Sequence, residues 1–411
     1  MHKSFLHILL FGLSFLTVAQ TKTTMYTSGR DIYTACGEKV VFRGINEMMI
    51  WSNNRTGTTI LPEIAKTGAN SVRLVWNISG STTELDQLID NCIKNNMIPI
   101  PELHDATGDF SKFQSCLDYW KKPEVAAVIQ KHKKWVIVNI ANEVGGGSES
   151  DTQYENYYKD AISQLRNAGY DMPLVIDAAG WGNTEKYVVN TCTNLYNSDI
   201  KKNLIFSVHT YWAGTNQTTR LDKLISDMKT KNLPLIIGEG PQKAASPSSC
   251  TALFPYIYLM DKCQSEGIGW LSWSWGAVDN GDCNAPNSIF DMTTDGKFTG
   301  LNDFGKELCT TAASSIKNTS IRPVSLVNST CITTNVSTEL FEQSNTELSV
   351  FPNPNEGNFI INGNLSGKWM LYDSLGKFVM EGKSKTIEMG HLDSGIYSLK
   401  ANDQSLKVIK K

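Results

Sequence analysis

Hydrophobic and polar positions follow two alternating patterns over the first three quarters of the chain. Short apolar runs rich in β-branched residues are separated by longer segments in which apolar residues recur every three or four positions. The runs are typical of buried parallel strands and the longer segments of amphipathic helices. The predicted strands are Val41–Asn46, Ser71–Trp76, Ile98–His104, Trp135–Glu143, Leu174–Asp177, Leu204–Tyr211, Leu235–Glu239 and Gly269–Trp275, and the clearest predicted helices are Glu84–Asn95, Tyr154–Ala168, Arg220–Lys231 and Phe254–Glu266.

The repeated order of strand and then helix predicts an α/β fold, a (β/α)8 TIM barrel. An open, doubly wound parallel sheet is the structural alternative. Such a sheet normally carries a glycine-rich phosphate-binding turn after its first strand. The first strand here continues as Arg43-Gly44-Ile45-Asn46-Glu47, which is no such turn. We therefore expect a closed barrel.

Both ends of the chain differ from this pattern. A short basic head and an apolar run predict a signal peptide over residues 1–20. The barrel is expected over residues 21–318, followed by a Ser/Thr/Asn-rich linker over 319–347. Residues 348–411 contain short alternating strands and predict a small C-terminal β-sandwich.

Composition narrows the classes of function. The net charge of -3 and a pI near 6.1 give no support for nucleic-acid binding. Nine cysteines suit an oxidising compartment. The sequence contains no CxxC pair, which argues against a zinc site. Because the count is odd, at least one thiol stays unpaired, and Cys331 in the linker is the candidate. Asp279-Asn280-Gly281-Asp282 lacks the rest of a calcium loop. We expect no metal and no cofactor.

Two glutamates end predicted strands and carry the main chemical signal. Glu143 follows the apolar run Val138–Ala141 and Asn142, and Glu239 follows Leu235–Gly238. Carboxyl ends of barrel strands form the mouth where barrel enzymes keep their active sites. Two carboxylates facing one cleft are the minimum equipment for hydrolysis of a glycosidic bond.

Further polar and aromatic residues gather at the same strand ends. Each alone could be structural, for example as a core histidine or a packing tryptophan. Their co-occurrence on successive strands favours a site. Flat sugar faces stack on indole rings, so the tryptophans suggest a polysaccharide groove, although about half could simply cap the core. The candidates are Arg73, His104, Asn142, His209 and Tyr211, with Trp51, Trp76, Trp181, Trp212, Trp273 and Trp275 as aromatic surfaces.

The order of Arg73, His104, Asn142-Glu143, His209-x-Tyr211, Glu239 and Trp273 resembles glycoside hydrolase family 5, a family of retaining (β/α)8 hydrolases. The blocks from Glu102 to Gly108 and from Asp177 to Gly182 are similar to its bacterial endo-β-1,4-mannanases. The resemblance covers roughly residues 30 to 312.

This resemblance implies roles for the site residues. Glu143 would be the general acid and then the general base, and Glu239 the nucleophile. Arg73 and Tyr211 would hold Glu239, and His209 would organise the site near Glu143. Asn142 would contact the substrate 2-hydroxyl, while His104 and Trp273 would shape the subsite at the cleavage point.

The chain departs from that branch at three places. Val144-Gly145-Gly146-Gly147 stands where aromatics are usual, Gly240-Pro241-Gln242 follows the second glutamate, and Thr210 replaces a usual Met. These departures concern substrate subsites rather than the chemistry.

The tail resembles the C-terminal sorting domain of type IX secretion substrates. The resemblance rests on Val350-Phe351-Pro352-Asn353-Pro354, on Tyr372–Lys377 and on Leu392–Tyr397. It implies contact with secretion machinery and export through the periplasm to the cell surface or the medium. A carbohydrate-binding module is the alternative, but the segment has one tryptophan, Trp369.

We therefore expect a secreted, monomeric endo-β-1,4-mannanase that acts on mannan, glucomannan or galactomannan. A β-1,4-glucanase of the same family is the nearest alternative. A non-catalytic glycan-binding surface protein is the third, and the presence of both glutamates argues against it.

Overall fold

The computed structural model describes residues 22–247, 249–283, 288–331, 348–363, 365–374, 377–402 and 404–411. The chain divides into two compact units, with the boundary between Ile332 and Thr333. The predicted signal peptide lies outside the described residues, as does the part of the predicted linker over 332–347.

The first unit is built on a closed barrel of eight parallel strands, as the sequence predicted. Each strand pairs with the next along the chain, and the last strand closes onto the first, where Trp270 lies opposite Arg43. The strands are β1 (Arg43–Glu47), β2 (Ser71–Trp76), β3 (Ile98–Leu103), β4 (Val138–Asn139), β5 (Leu174–Asp177), β6 (Leu204–His209), β7 (Leu235–Glu239) and β8 (Gly269–Ser272).

Strand β4 is much shorter than the predicted Trp135–Glu143. Its ladder ends at Asn139, and the chain then turns so that Glu143 has a φ of 47°. The Asn142 amide still donates to the Leu103 carbonyl of β3 at 2.8 Å, which holds the turn against the barrel. The predicted run Trp135–Glu143 is buried throughout, but only part of it forms a strand.

Helices surround the barrel and begin and end at recognisable signals. The Ser81 side chain caps the helix that begins at Thr82, and Ser150 with Gln153 forms a capping box at the helix that begins at Asp151. The left-handed Gly267 ends the helix Tyr256–Glu266. The helices are α1 (Ile60–Ala65), α2 (Thr82–Lys94), α3 (Phe113–Trp120), α4 (Pro123–Lys131), α5 (Asp151–Asn167), α6 (Lys186–Ser198), α7 (Gln217–Lys231) and α8 (Tyr256–Glu266), then α9 (Asp303–Lys306), α10 (Ile316–Thr319) and α11 (Val324–Val327).

The two ends of the barrel have opposite character. One buried apolar cluster combines Ile100, Val175 and Ile236 of the strands with Ile32 and Val40 of an N-terminal antiparallel sheet. Apolar residues thus fill the barrel on the side where its strands begin. The sheet consists of Tyr26–Ser28, Asp31–Tyr33 and Lys39–Val40. At the other end of the barrel, after the carboxyl end of β7, the segments Ala244–Ser246 and Ser249–Leu253 form an antiparallel pair.

The predicted linker start at residue 319 is too early, and the assignment of Cys331 as the unpaired thiol is wrong. Arg322 donates to the backbone carbonyls of Ala65 and Ala69, which holds this segment on the barrel. Cys331 forms a disulfide with Cys36. Their separation of 295 residues hides the pair from sequence reasoning. Cys250 pairs with Cys283, and the free cysteines Cys92, Cys116, Cys192, Cys263 and Cys309 are all buried.

The second unit contains two antiparallel sheets, consistent with the predicted β-sandwich. Apolar side chains such as Phe359, Trp369 and Leu399 form its core. One sheet contains Ser349–Phe351, Asn358–Asn362 and Thr386–Glu388, and the other Trp369–Tyr372, Phe378–Gly382, Gly395–Ala401 and Gln404–Lys410. Among the described residues of the whole chain, no helix is both long and apolar enough to cross a membrane.

The two disulfides close loops of very different length, which gives a stability prediction. The Cys36–Cys331 bond spans 295 residues, and the Cys250–Cys283 bond spans 33. Loop-closure entropy therefore favours the longer crosslink by about 2 kcal/mol. We expect the double variant C36S/C331S to lose more free energy of unfolding than C250S/C283S in guanidinium titrations of the oxidised protein. A larger loss in C250S/C283S would contradict this order.

Candidate active site

The carboxyl ends of the barrel strands carry buried polar side chains around one rim. Strands that run parallel in a closed barrel bring these ends together, although their residues are far apart in sequence. One such residue comes from every strand: Asn46, Arg73, Glu102, Asn139, Asp177, His209, Glu239 and Ser272, each at most 3% exposed.

Arg73 lies among these polar side chains and contacts several of them. Its guanidinium donates to Glu239 Oε1 at 2.8 Å, to Asn142 Oδ1 at 2.6 Å and to Asp177 Oδ2 at 3.4 Å. Glu102 Oε1 lies 3.8 Å from Nη1. Burial opposes the charge of Arg73, but Glu102 and Glu239 outweigh it and raise the Arg73 pKa. The side chain is a permanent buried cation.

Glu239 is the last residue of β7 and is held from both sides. Arg73 contacts its Oε1, and the Tyr211 hydroxyl donates to its Oε2 at 2.8 Å. Burial and the charge of Glu239 raise the pKa of Tyr211 well above its ordinary value, so Tyr211 stays a donor. Two donors on one carboxylate favour its ionised form.

Glu143 faces a histidine rather than an arginine. Its Oε1 lies 2.6 Å from His209 Nδ1, and His209 Nε2 lies 3.6 Å from Asp177 Oδ1. Burial would lower the pKa of His209, but Glu239 and Asp177 raise it to about 10, so the ring is cationic. Asp177 also accepts from the Glu143 amide at 3.3 Å. Burial would raise the pKa of Asp177, but His209 and Arg73 lower it well below its usual range.

The two predicted catalytic carboxyls are close and differ in environment. One oxygen of Glu143 and one of Glu239 lie within 4.8 Å, with His209 inside the same group. Burial and the charge of Glu239 raise the pKa of Glu143, against the effect of His209. These three side chains offer ligand atoms to a metal, but the guanidinium on Glu239 disfavours a further cation. The arrangement instead suits one protonated and one ionised carboxyl.

His104 forms part of the cleft wall with two tryptophans. Its ring stacks on Trp273 at 6.2 Å and meets Trp51 edge-on at 5.6 Å. Glu102 Oε1 lies 2.9 Å from His104 Nδ1. Burial would lower the pKa of His104, but Glu102 raises it. The other ring nitrogen lies 3.5 Å from the Asn142 amide nitrogen, so the predicted His104 and Asn142 are neighbours.

The cleft has a volume of about 410 Å³ and contains six of the predicted residues: His104, Glu143, Trp181, Tyr211, Glu239 and Trp273. Trp181 is 54% exposed and forms one wall. A Cβ on Gly108 would lie 2.4 Å from Trp181 Nε1, and one on Gly146 would lie 3.6 Å from the same indole. The glycines that depart from the mannanase pattern, Gly145–Gly147, therefore pass beside this ring.

Glycine is also required beside the carboxyl pair. A Cβ on Gly182 would lie 2.6 Å from His209 Nδ1 and 2.7 Å from Glu143 Oε1. Because real Cβ atoms do not approach so closely, any larger residue would separate the two side chains. The Gly182 φ of 70° adds a second reason for glycine.

The predicted aromatic groove is only partly formed. Trp212 is 2% exposed, and its Nε1 donates to the Asn183 carbonyl at 2.8 Å, so it supports the cleft from below rather than binding substrate directly. Trp76 and Trp275 are fully buried. Trp51 is 51% exposed. Sequence reasoning missed three cleft residues because they lie in loops without a periodic pattern: Asn183, Ser246 and Pro247. Asp282 belongs to the loop after the eighth strand that the sequence places near the groove, and it also lines the cleft.

The charge balance around Arg73 can be tested by stability. We expect Arg73→Met to lower the free energy of unfolding by about 3–5 kcal/mol at neutral pH, because it leaves several buried carboxylates without their cation. Those carboxyls would have raised pKa values in the folded variant. Protonation on acidification therefore removes the unpaired charge, and the deficit relative to wild type should shrink as the pH falls towards 5.

Arg166→Met is the matched control, because Arg166 pairs with the single buried carboxylate of Asp199 at 2.8 Å. Its deficit should depend less on pH. Chemical unfolding at several pH values measures both. A deficit for Arg73→Met that is constant with pH would contradict the charge explanation.

Comparison with known proteins agrees with this geometry. The family description "Cellulase (glycosyl hydrolase family 5)" matches residues 33–279, and "Secretion system C-terminal sorting domain" matches residues 349–411. A mannan endo-1,4-beta-mannosidase of Cellvibrio japonicus is 31% identical over 320 residues, which cover 74% of this chain and 70% of the relative. One from Salipaludibacillus agaradhaerens is 33% identical over 262 residues, covering 61% and 80%. The sorting domain marks the chain as an exported protein.

The chain is also similar to solved structures of mannanases. The catalytic domain of a mannanase from Streptomyces sp. SirexAA-E superimposes with a TM-score of 0.65 at 25% identity, covering 78% of this chain and 99% of that one. The mannotriose complex of Thermomonospora fusca beta-mannanase also gives 0.65 at 25% identity, covering 74% and 99%. With its closed barrel and its two glutamates at the mouth, one at the end of β7 and one in the turn after β4, the chain belongs to glycosyl hydrolase family 5 and carries a C-terminal secretion sorting domain.

Proposed function

We propose that the protein is an exported endo-acting hydrolase that cleaves β-1,4-mannosidic linkages with retention of configuration. The observation that carries the mechanism is the separation of Glu143 and Glu239, whose nearest oxygens lie within 4.8 Å. Retaining enzymes hold their carboxyls about 5–5.5 Å apart, whereas inverting enzymes need roughly 6.5–9.5 Å to admit a water molecule. The relatives named as mannan endo-1,4-beta-mannosidases support the substrate.

In the first step, Glu239 attacks the anomeric carbon, and the bond from this carbon to the leaving oxygen breaks. Glu143 transfers its proton to that oxygen. The ionised state of Glu239 is supported by Arg73 and Tyr211. The protonated state of Glu143 is supported by burial and by repulsion from Glu239, both of which raise its pKa.

In the second step, water attacks the anomeric carbon of the glycosyl ester on Glu239. The carboxylate of Glu143 now accepts a proton from this water, and Glu239 is released. His209 Nδ1 lies 2.6 Å from Glu143 Oε1. We propose that Asn142 contacts the substrate 2-hydroxyl. Its amide oxygen accepts from Arg73 and its amide nitrogen donates to Thr107 Oγ1 at 3.0 Å, which fixes the orientation of the amide. We also propose a monomer, since one chain supplies the complete cleft.

The substrate assignment is tested by reducing-sugar release from linear β-1,4-mannan and from a soluble β-1,4-glucan. We expect release from mannan and little from glucan. Glu239→Gln should lose at least about 10³-fold in turnover, because no covalent intermediate forms, while its thermal unfolding stays close to that of the wild type. Release mainly from glucan would overturn the substrate but leave the mechanism. Full turnover in Glu239→Gln would overturn the mechanism.

The acid role of Glu143 is tested with two kinds of leaving group. We expect Glu143→Ala to lose about 10²–10⁴-fold on mannan, whose leaving oxygen needs a proton. An aryl mannoside with an acidic phenol needs no proton in the first step, so bond cleavage there should be far less affected. Added azide should then speed turnover by replacing the water of the second step. Equal losses on both substrates would argue against this role.

A further inference from the structure

Trp273 is a cleft residue whose indole nitrogen donates to a loop residue, Asn280. This tryptophan lies just after β8, is 8% exposed and stacks on His104. One ring face therefore belongs to the cleft wall beside Glu239, while the N–H faces the loop that follows the strand. The angle of this ring depends on what that loop offers to the N–H.

Asn280 provides the acceptor. Its amide oxygen accepts from Trp273 Nε1, and its amide nitrogen donates to Asp282 Oδ2 at 3.1 Å. This orientation of the amide follows from its partners, since only it satisfies both. Asn280 reaches the cleft through two residues, Trp273 and Asp282, and its hydrogen bond to the indole is the one that can set the angle of a ring in the cleft wall.

Asp291 holds both Asn280 and the residue next to Trp273. Its Oδ2 accepts from the Asn280 backbone amide at 3.2 Å, and its Oδ1 accepts from Ser274 Oγ at 3.0 Å. The side chain is 2% exposed, and none of the described cationic groups pairs with it within 4 Å. Burial raises the pKa of Asp291 to about 6. A buried carboxyl without a cation costs stability, which suggests a functional reason for it.

A second buried carboxyl supports the same loop at its start. Glu47, the last residue of β1, accepts from the Ala277 amide at 3.1 Å and from the Met48 amide at 2.9 Å. Burial raises the pKa of Glu47 to about 8. The loop from Ala277 to Asn280 is thus fixed at both ends through its backbone, which leaves the Asn280 side chain in a defined place.

We infer that Asn280 and Asp291 are positioning residues. They set the angle of the Trp273 ring in the part of the cleft wall against which the sugar undergoing cleavage would lie. Neither residue touches the reacting atoms. The kinetic consequence of this inference rests on the proposed function, whereas the hydrogen bond to the indole can be tested without any substrate.

The first test is spectroscopic and uses the full mature chain with ¹⁵N-labelled tryptophan. The Trp273 indole N–H resonance is assigned by its loss in Trp273→Phe. Loss of an acceptor should move this resonance upfield in Asn280→Ala and leave the other indole signals in place. The double variant N280D/D282N keeps an acceptor oxygen at position 280 and a donor at position 282, and it should restore the shift. An unchanged Trp273 resonance in Asn280→Ala would overturn the inference.

The second test is kinetic, on a soluble manno-oligosaccharide. A misplaced cleft wall should lower kcat by about 10- to 100-fold with a smaller change in KM, because orientation matters most in the transition state. Asp291→Asn should act in the same direction, and its effect should not add to that of Asn280→Ala if both act through Trp273. Asp303→Asn, an exposed acid-to-amide change, is the control. Full additivity, or normal kcat in Asn280→Ala, would overturn the inference.

The two proposals fail in different ways. A wild-type protein that releases nothing from mannan would contradict the proposed function, while the indole resonance would still report on Asn280. A wild-type protein that is active on mannan, with Asn280→Ala equally active, would contradict only the positioning role.

Discussion

The site depends on one buried cation. Arg73 lies among Glu102, Asp177, Glu239 and the amide oxygen of Asn142, and it is only 1% exposed. Without it, the barrel mouth would hold several buried carboxylates that could not all ionise. Because its fork of donors is planar and rigid, Arg73 also fixes the directions of these partners. Charge balance and geometry are therefore supplied by the same side chain.

A second buried cation, His209, lies beside Glu143. Its ring nitrogens face Glu143 and Asp177, and its effect on the Glu143 pKa opposes the effects of burial and of Glu239. Glu239 has the guanidinium and the Tyr211 hydroxyl, whereas Glu143 has burial and a like charge nearby. Similar carboxyls thus lie in different surroundings, built by neighbours on different strands, and a retaining mechanism requires such a difference.

The barrel and its two glutamates could be predicted because their signals are local. A buried run that ends in a polar residue indicates a strand and the barrel mouth beyond it, although the strand itself can end earlier, as β4 does at Asn139. Asp177 was identified only as a strand end, since its importance comes from His209 on the next strand. Trp181 and Trp212 have similar positions after their strands, yet one is exposed and the other buried. Their difference arises from neighbours that are distant in sequence, such as Gly108, just as the Cys36–Cys331 pair depends on the closed fold.

The central claim, that Glu239 forms a covalent bond to the sugar, is tested most directly by trapping. A 2-deoxy-2-fluoro mannosyl fluoride slows both steps but has a leaving group that needs no proton, so the glycosyl-enzyme should accumulate. Proteolysis and tandem mass spectrometry then locate the added sugar. The account predicts a single ester on Glu239, stable enough to isolate and released slowly on incubation. A sugar attached to Glu143 or to any other residue, or a first-formed product of inverted anomeric configuration, would contradict it.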